Sequence, residues 1–258
     1  MIILDYELNN ILNLYKFIVT AAFFSYAAYK DIKYREISDT VWILLILLTL
    51  PASLYQIIIL NSINIFYFLF VILINSLIAS IMYYIADFGG ADAIAAIVLP
   101  VAIPYAPKLG FKTLLVQPPD FPLAVLWNGI IISIFYILVN IVKNIITFLK
   151  AGKLFDNSFS LKEKIILFLF GEKINREKIE KGKFYVSLII MEKGKKKLSL
   201  FRKVRSLDFQ DTFARKGYYD DDYYWVENIQ PFLLYLTISL FFTIFIGDLI
   251  SSIALSII

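Results

Sequence analysis

The feature that most constrains this chain is the length of its apolar blocks. A helix that crosses a bilayer needs about 20 predominantly apolar residues, and blocks of that order recur from one end of the sequence to the other. A helix on the surface of a soluble domain needs only one apolar stripe. Here hydrophobic residues make up 60% of 258 positions and charged residues 18%, with a mean hydropathy of +0.74. Globular chains sit near about 45 to 50% apolar and about 25% charged. The reading that follows is a polytopic α-helical membrane protein.

Six transmembrane helices are expected. The first covers residues 10–29; no basic cluster precedes it and no small-residue cleavage site follows it, so it reads as a retained helix. Lys16 lies near its outer end, where a lysine can snorkel. The charged connector Lys30-Asp31-Ile32-Lys33-Tyr34-Arg35-Glu36 ends it. The second span covers 40–60, with Ser38 or Asp39 as its cap and Pro51 as a kink. The third covers 65–86. The fourth, 93–105, is short and carries Pro100 and Pro104, which suits a tilted, broken or re-entrant segment. Residues 107–122 hold four prolines and read as an ordered loop. The fifth span covers 123–149 and the sixth 231–258.

Residues 150–228 form the one soluble-looking stretch, and they carry 18 of the 25 basic residues. The sequence thus divides into a membrane domain (1–149), a small mixed α/β domain between helices five and six (150–228), and a final span within 229–258. Ser160-Leu161-Lys162-Glu163 matches a capping box and opens an apolar run closed by Gly171. That run is apolar all round, so it is expected to pack on the membrane domain or lie in the interface. Residues 184–191 and 197–204 read as a hairpin with a basic turn at 192–196. Residues 208–227 mix acids with Tyr218, Tyr219, Tyr223, Tyr224 and Trp225, as interfacial aromatics before a span do.

Charge sets the expected topology. The 30–36 connector holds three basic residues and the 150–228 stretch holds 18, while the N-terminus and the 61–64 turn hold none. The positive-inside rule places both basic regions in the cytoplasm. Asp31 and Asp92 then share the cytoplasmic face of the cell membrane, each at the end of an apolar helix.

The chain has no His and no Cys. That excludes the HExxH metalloprotease pattern and zinc sites built on His or Cys. It also excludes serine and cysteine hydrolases that rely on a histidine base. No metal and no cofactor is expected. The net charge of +4 is too balanced to argue for a nucleic-acid partner. Carboxylate, hydroxyl and lysine chemistry remains.

Taken alone, Asp31 reads as a solvated charge at the end of a span and Asp92 as the N-cap of the fourth helix, where a carboxylate suits the dipole. Asp87 is a competing boundary charge. Asp248 lies within the sixth span, toward its outer side, and is assigned no chemistry.

Asp31 after a first span, together with Phe88-Gly89-Gly90-Ala91-Asp92 before a fourth, resembles the GxGD membrane aspartyl proteases. The resemblance is to the archaeal preflagellin peptidases, relatives of the type IV prepilin peptidases, and it extends to the order of spans and the soluble domain. Ala91 stands where the pattern has its second glycine; alanine keeps close backbone approach but would make a positive φ costly there. The resemblance implies that Asp31 and Asp92 are the catalytic pair and that Gly89, Gly90 and Ala91 leave room for substrate backbone. It implies as substrate a preflagellin or other type IV pilin-like precursor, with a short basic leader before a hydrophobic helix. Glu36, Asp220, Asp221 and Asp222 can attract such a leader, and the basic turn suits an anionic lipid surface. Two carboxylates sharing a proton supply the chemistry: one takes a proton from water and the other donates to the scissile carbonyl. The rival reading is a non-enzyme, either a transporter subunit or an assembly scaffold. Neither an inverted repeat nor an acidic pair near mid-membrane supports transport.

Overall fold

The computed structural model describes residues 2–85, 89–107, 113–151, 154–155, 159–175, 185–192, 195–198, 223–228 and 230–257. In chain order the elements are α1 (Ile2–Tyr34), α2 (Asp39–Ile58), α3 (Ile65–Ile85), α4 (Gly90–Ala102), α5 (Phe121–Ala151), α6 (Leu161–Phe170), β1 (Glu172–Asn175), β2 (Tyr185–Ser187), β3 (Ile189–Glu192), β4 (Lys195–Leu198), β5 (Tyr223–Asn228), α7 (Phe232–Phe245) and α8 (Leu249–Ile257). The chain forms two compact units: Met1–Ser133 with Pro231–Ile258, and Ile134–Gln230.

In the first unit, four helices are long and apolar enough to cross a membrane (α1, α2, α3 and α5), and the bent pair α7–α8 makes a fifth candidate. Their outer faces show why water does not suit them: Phe66 is 79% exposed, Ile58 67% and Leu73 65%. Lipid removes the cost of about 25 cal/mol per Å² that such apolar surface carries in water. The chain is a membrane protein.

Local signals set most helix starts. The Ser38 hydroxyl accepts the Thr40 N–H at 3.3 Å, which selects Ser38 over Asp39 as the cap of α2. The Asn64 side chain accepts the Phe66 and Tyr67 N–H groups at 2.8 and 3.2 Å and opens α3. The Asp120 carboxylate accepts the Leu123 N–H at 3.0 Å and opens α5. Pro51 sits inside α2.

Three expectations are corrected here. First, α1 continues through the charged connector to Tyr34 rather than stopping at residue 29. Lys30 lies over the Tyr26 and Tyr34 rings, and Lys33 over Tyr29 and Tyr34, so these charges are accommodated along the helix itself. Second, Lys16 does not snorkel. It is 1% exposed, and its Nζ donates to Ser53 Oγ at 3.4 Å. A polar seam holds it there, because Gln56 Nε2 also donates to Asn9 Oδ1 at 2.7 Å and Asn13 Oδ1 at 2.9 Å across α1 and α2.

Third, the last apolar stretch is not one continuous helix. It breaks between α7 and α8 with a bend of 52°. The Leu115 N–H donates to Ile246 O at 2.7 Å and the Asp248 N–H to Val116 O at 3.0 Å, so an incoming loop strand takes the hydrogen bonds that a helix would use. Gly247 has φ +117°, and a Cβ there would lie 2.8 Å from the Leu115 backbone.

Helix α4 lies at the centre of this unit. It has 13 residues, short against the about 20 a span needs. Ala95, Ala96, Val98, Leu99 and Ala102 are buried in one cluster with Phe24, Trp42, Leu45, Val125, Leu236 and Leu240. Its small side chains let neighbouring backbones approach closely. It packs against α1, α2, α3 and α7.

In the second unit, the capping box of α6 is complete: Ser160 Oγ accepts the Glu163 N–H, and the Glu163 carboxylate accepts the Ser160 N–H at 2.8 Å. The Ser160 hydroxyl and N–H hold the Glu163 carboxyl below its usual range. Helix α6 packs on its own unit's core, with Leu167 fully buried among Leu154, Phe159, Leu188 and Trp225. Leu161 and Ile165 stay exposed. Gly171 ends the helix at φ −92°, so its need for glycine is crowding rather than handedness. A Cβ there would lie 2.7 Å from Leu167 O and 2.9 Å from Trp225 Cε3.

Of the aromatics expected at a membrane interface, Tyr223, Tyr224 and Trp225 belong to β5, the middle strand of an antiparallel sheet ordered β1-β5-β2, and Tyr218 and Tyr219 lie outside the described residues. Trp225 is 5% exposed and stacks on Phe155 at 5.2 Å. The expected hairpin is also redrawn. Ile189 pairs with Leu198 and Glu192 with Lys195, so β3 and β4 form an antiparallel pair. Tyr185–Ser187 leaves that pairing for β5. The divide falls at Leu188, whose side chain is buried and whose N–H donates to Trp225 O at 3.0 Å. Residues 208–222 of the acidic, tyrosine-rich segment, with Asp220, Asp221 and Asp222, lie outside the described residues.

Candidate active site

Asp31 and Asp92 come from opposite helix ends. Asp31 sits in the last turn of α1, and its side chain is 14% exposed. One turn later the chain leaves the helix through Arg35, which has φ 57° and whose N–H donates to Asp31 O at 3.2 Å. That left-handed residue directs the guanidinium back along the helix, and Arg35 Nη1 donates to Asp31 Oδ1 at 3.5 Å.

Asp92 sits in the first turn of α4. The helix begins three residues before the expected Ala93, so Gly89 takes the N-cap position and Asp92 becomes the third helical residue. From that position a carboxylate faces back toward the N-cap backbone N–H, as an acid does in a capping box, and the Gly89 N–H lies within its electrostatic reach. Gly89 has an ordinary φ of −59°, so its role is space. A Cβ on it would lie 2.7 Å from Asp92 Oδ2. Gly90 is under no such pressure, since a Cβ there would meet only Tyr83 Cε2 at 3.9 Å. Ala91 lies within the helix. The concern that alanine would need a positive φ is removed, and alanine is the better helix former there.

Asp31 and Asp92 belong to a region where α1, α4 and α7 pack together. Asp92 lies within electrostatic reach of both Asp31 and Arg35. The Leu233 backbone N–H reaches each carboxylate in turn. Leu233 belongs to the first turn of α7, where N–H groups have no partner inside the helix and the dipole favours negative charge. The N-cap of that helix, Pro231, makes no side-chain capping bond. Both carboxylates thus lie within electrostatic reach of one guanidinium and one helix N-terminus. Tyr235 of α7 also lies within electrostatic reach of Arg35.

The other candidates fall elsewhere. Asp87 and Phe88 lie outside the described residues. Glu36 is exposed just past Arg35. Asp248 opens α8: its carboxylate accepts the Ile250 and Ser251 N–H groups at 3.2 and 3.1 Å and bonds the Ser251 hydroxyl. Among the described residues, no group of three or more acidic side chains is arranged to hold a metal ion.

Sequence reading missed two contributors. Arg35 was counted only as a basic residue of the connector, although its place four residues after Asp31 allows an i, i+4 pair once the helix is known to reach it. Leu233 acts through its main chain, and no side-chain pattern marks it.

The profile of the Type IV leader peptidase family matches residues 18–138, a stretch that contains Asp31, Gly89 and Asp92. The chain is 27% identical over 241 residues to a preflagellin peptidase of Methanococcus voltae, covering 89% of this chain and 94% of that protein. It is 28% identical over 247 residues to a preflagellin peptidase of Methanococcus maripaludis, covering 90% and 95%.

Proposed function

We propose, from the premise that this chain is a relative of the type IV leader peptidases, that it is an aspartyl endopeptidase of the GxGD type removing the leader from preflagellin precursors. The coarser part, a membrane peptidase, has the support of the family profile and of both relatives. The aspartyl mechanism rests on one observation: residues 31 and 92, separated by two apolar helices in sequence, lie within electrostatic reach of each other and share Arg35 and the Leu233 N–H as neighbours.

In this reading one carboxylate is ionised and takes a proton from water while the other, protonated, donates to the scissile carbonyl oxygen. The attacking oxygen forms the new C–O bond, the amide nitrogen leaves with a proton, and the pair returns to its shared-proton state. The pair titrates as a unit, so neither aspartate is assigned the role of base. The room beside Gly90, where a Cβ would meet only Tyr83 Cε2 at 3.9 Å, accepts extended precursor backbone near Asp92.

Counting α4 and the bent α7–α8 pair as crossings makes six spans. The basic connector and residues 150–228 then face the cytoplasm, which places the aspartates at the cytoplasmic face of the cell membrane. A membrane domain of residues 1–149, a soluble domain of 150–228 and a last span within 229–258 complete this arrangement.

The test is co-expression with an epitope-tagged preflagellin, read by gel shift and N-terminal sequencing. Asp31→Asn and Asp92→Asn each reduce leader removal by about 10²- to 10⁴-fold, the range of a lost general acid or base. Asp87→Ala and the wild type process the precursor. Normal processing by either of the first two variants, at matched membrane levels, would sink the mechanism.

A further inference from the structure

Arg35 occupies a position where its residue type is locally wrong. It follows the last residue of α1 and has φ 57°. Helices that end through a left-handed residue use glycine there, because glycine alone adopts that backbone without a Cβ penalty. Among the described non-glycine residues, only Arg35 and Asn61 have positive φ, and asparagine tolerates that region far better than arginine. A residue held in an unfavourable backbone region, next to two carboxylates, points to a side chain needed for what it touches.

What it touches is Asp31, the first of the two aspartates. The guanidinium bonds Asp31 at 3.5 Å with both side chains largely buried, at 16% and 14% exposure. Asp92, reached from a different helix, also lies in its field. Two aspartates brought together repel when both are charged, and a fixed cation between helix ends offsets that repulsion. Arginine suits this work because its planar fork stays charged and presents several donors in one geometry.

We propose that Arg35 is a positioning residue of the active site, one whose left-handed backbone folds its guanidinium over the aspartates so that they stay together before substrate arrives. This rests on the proposed catalytic role of Asp31 and Asp92. Tyr235 from α7 and the Leu233 N–H are the other groups facing this cluster.

The backbone supplies an unusually clean test. Arg35→Gly removes the cation and at the same time relaxes the left-handed residue, so the substitution does not strain the fold. Full-length protein in lipid nanodiscs is assayed on a preflagellin peptide spanning the leader junction, with Tm measured alongside. For Arg35→Gly, kcat falls by about 10- to 100-fold with KM within about twofold, and Tm is equal to or above that of the wild type. Its pH optimum moves upward by about one unit, because carboxylates that have lost a nearby cation are harder to ionise. Arg35→Lys restores part of kcat and moves the optimum back toward the wild type. Wild-type kcat and an unmoved optimum in Arg35→Gly would overturn the proposal, and so would a fall in Tm that parallels the loss of activity or a Lys variant no better than Gly. Asp31→Asn, run beside these, separates the two claims: if it is inactive while Arg35→Gly is normal, only the role of Arg35 fails.

Discussion

The starts of α4 and α8 look alike in sequence and do opposite things. Each is an apolar helix with an aspartate beside glycine, Gly89-Gly90-Ala91-Asp92 in one and Gly247-Asp248 in the other. At α8 the aspartate is the residue just before the helix, and its carboxylate is consumed by the N–H groups of Ile250 and Ser251 and by the Ser251 hydroxyl. At α4 the glycine takes the cap position and the aspartate sits inside the first turn. There its carboxylate lies within electrostatic reach of the Gly89 N–H, Asp31, Arg35 and the Leu233 N–H. The two glycines differ in the same way. Gly247 is needed for handedness, with φ +117°, whereas Gly89 is needed to leave space for Asp92 Oδ2. A displacement of a few residues along a helix start separates a carboxylate that caps its helix from one that lies within reach of a second aspartate.

The sharpest way to break this comparison is the same isosteric change at both sites. Asp92→Asn removes the about 10²- to 10⁴-fold contribution of an acid–base group. Asp248→Asn leaves leader removal within about twofold and barely moves Tm, because asparagine caps a helix about as well as aspartate. Equal losses in both variants, at equal membrane levels, would erase the distinction.

Next in size is Gly89→Ala. Its Cβ would lie 2.7 Å from Asp92 Oδ2, so the carboxylate must move. Displacement by about 1 Å costs up to about 10²-fold in rate. We expect kcat to fall by about 10- to 100-fold while the protein stays folded; unchanged kcat would show that the space beside Gly89 is not used.

Gly247→Ala acts on stability instead. The positive φ and the 2.8 Å approach to the Leu115 backbone make it destabilising by about 1–3 kcal/mol. Thermal unfolding in detergent measures this, and the surviving folded fraction should cleave normally. The smallest effect belongs to Ala91→Gly, which restores the nominal GxGD pattern. As a helical position it loses about 1 kcal/mol or less, and activity stays within about twofold. A large gain in activity would show that the second glycine serves something other than helix geometry.

Much of the membrane unit is legible from side-chain chemistry close in sequence. Apolar blocks mark the long helices, and a hydroxyl three or fewer residues before a helical N–H marks a cap. Ser38 on α2 and the Ser160–Glu163 box on α6 both act within one turn, so no distant part of the chain can alter them. Asp31 and Asp92 stand out because carboxylates are costly beside apolar helices and therefore rare there.

The misread parts all depend on partners far away in the chain. Trp225 lies in a central strand because β1 and β2 flank it and Phe155 stacks on it, and aromatic composition alone suits an interface equally well. The break between α7 and α8 requires Leu115 and Val116, more than 100 residues earlier, to take over backbone hydrogen bonds. Arg35 and the Leu233 N–H join the aspartates only when helix α1 runs five residues past its apolar block and α7 arrives end-on. Hydropathy and local caps are properties of short stretches, so the sequence by itself determined the long apolar helices and marked the two aspartates as candidates. Electrostatic company is a property of positions in space, and the tertiary structure alone decided which carboxylate is capped and spent and which faces its partner.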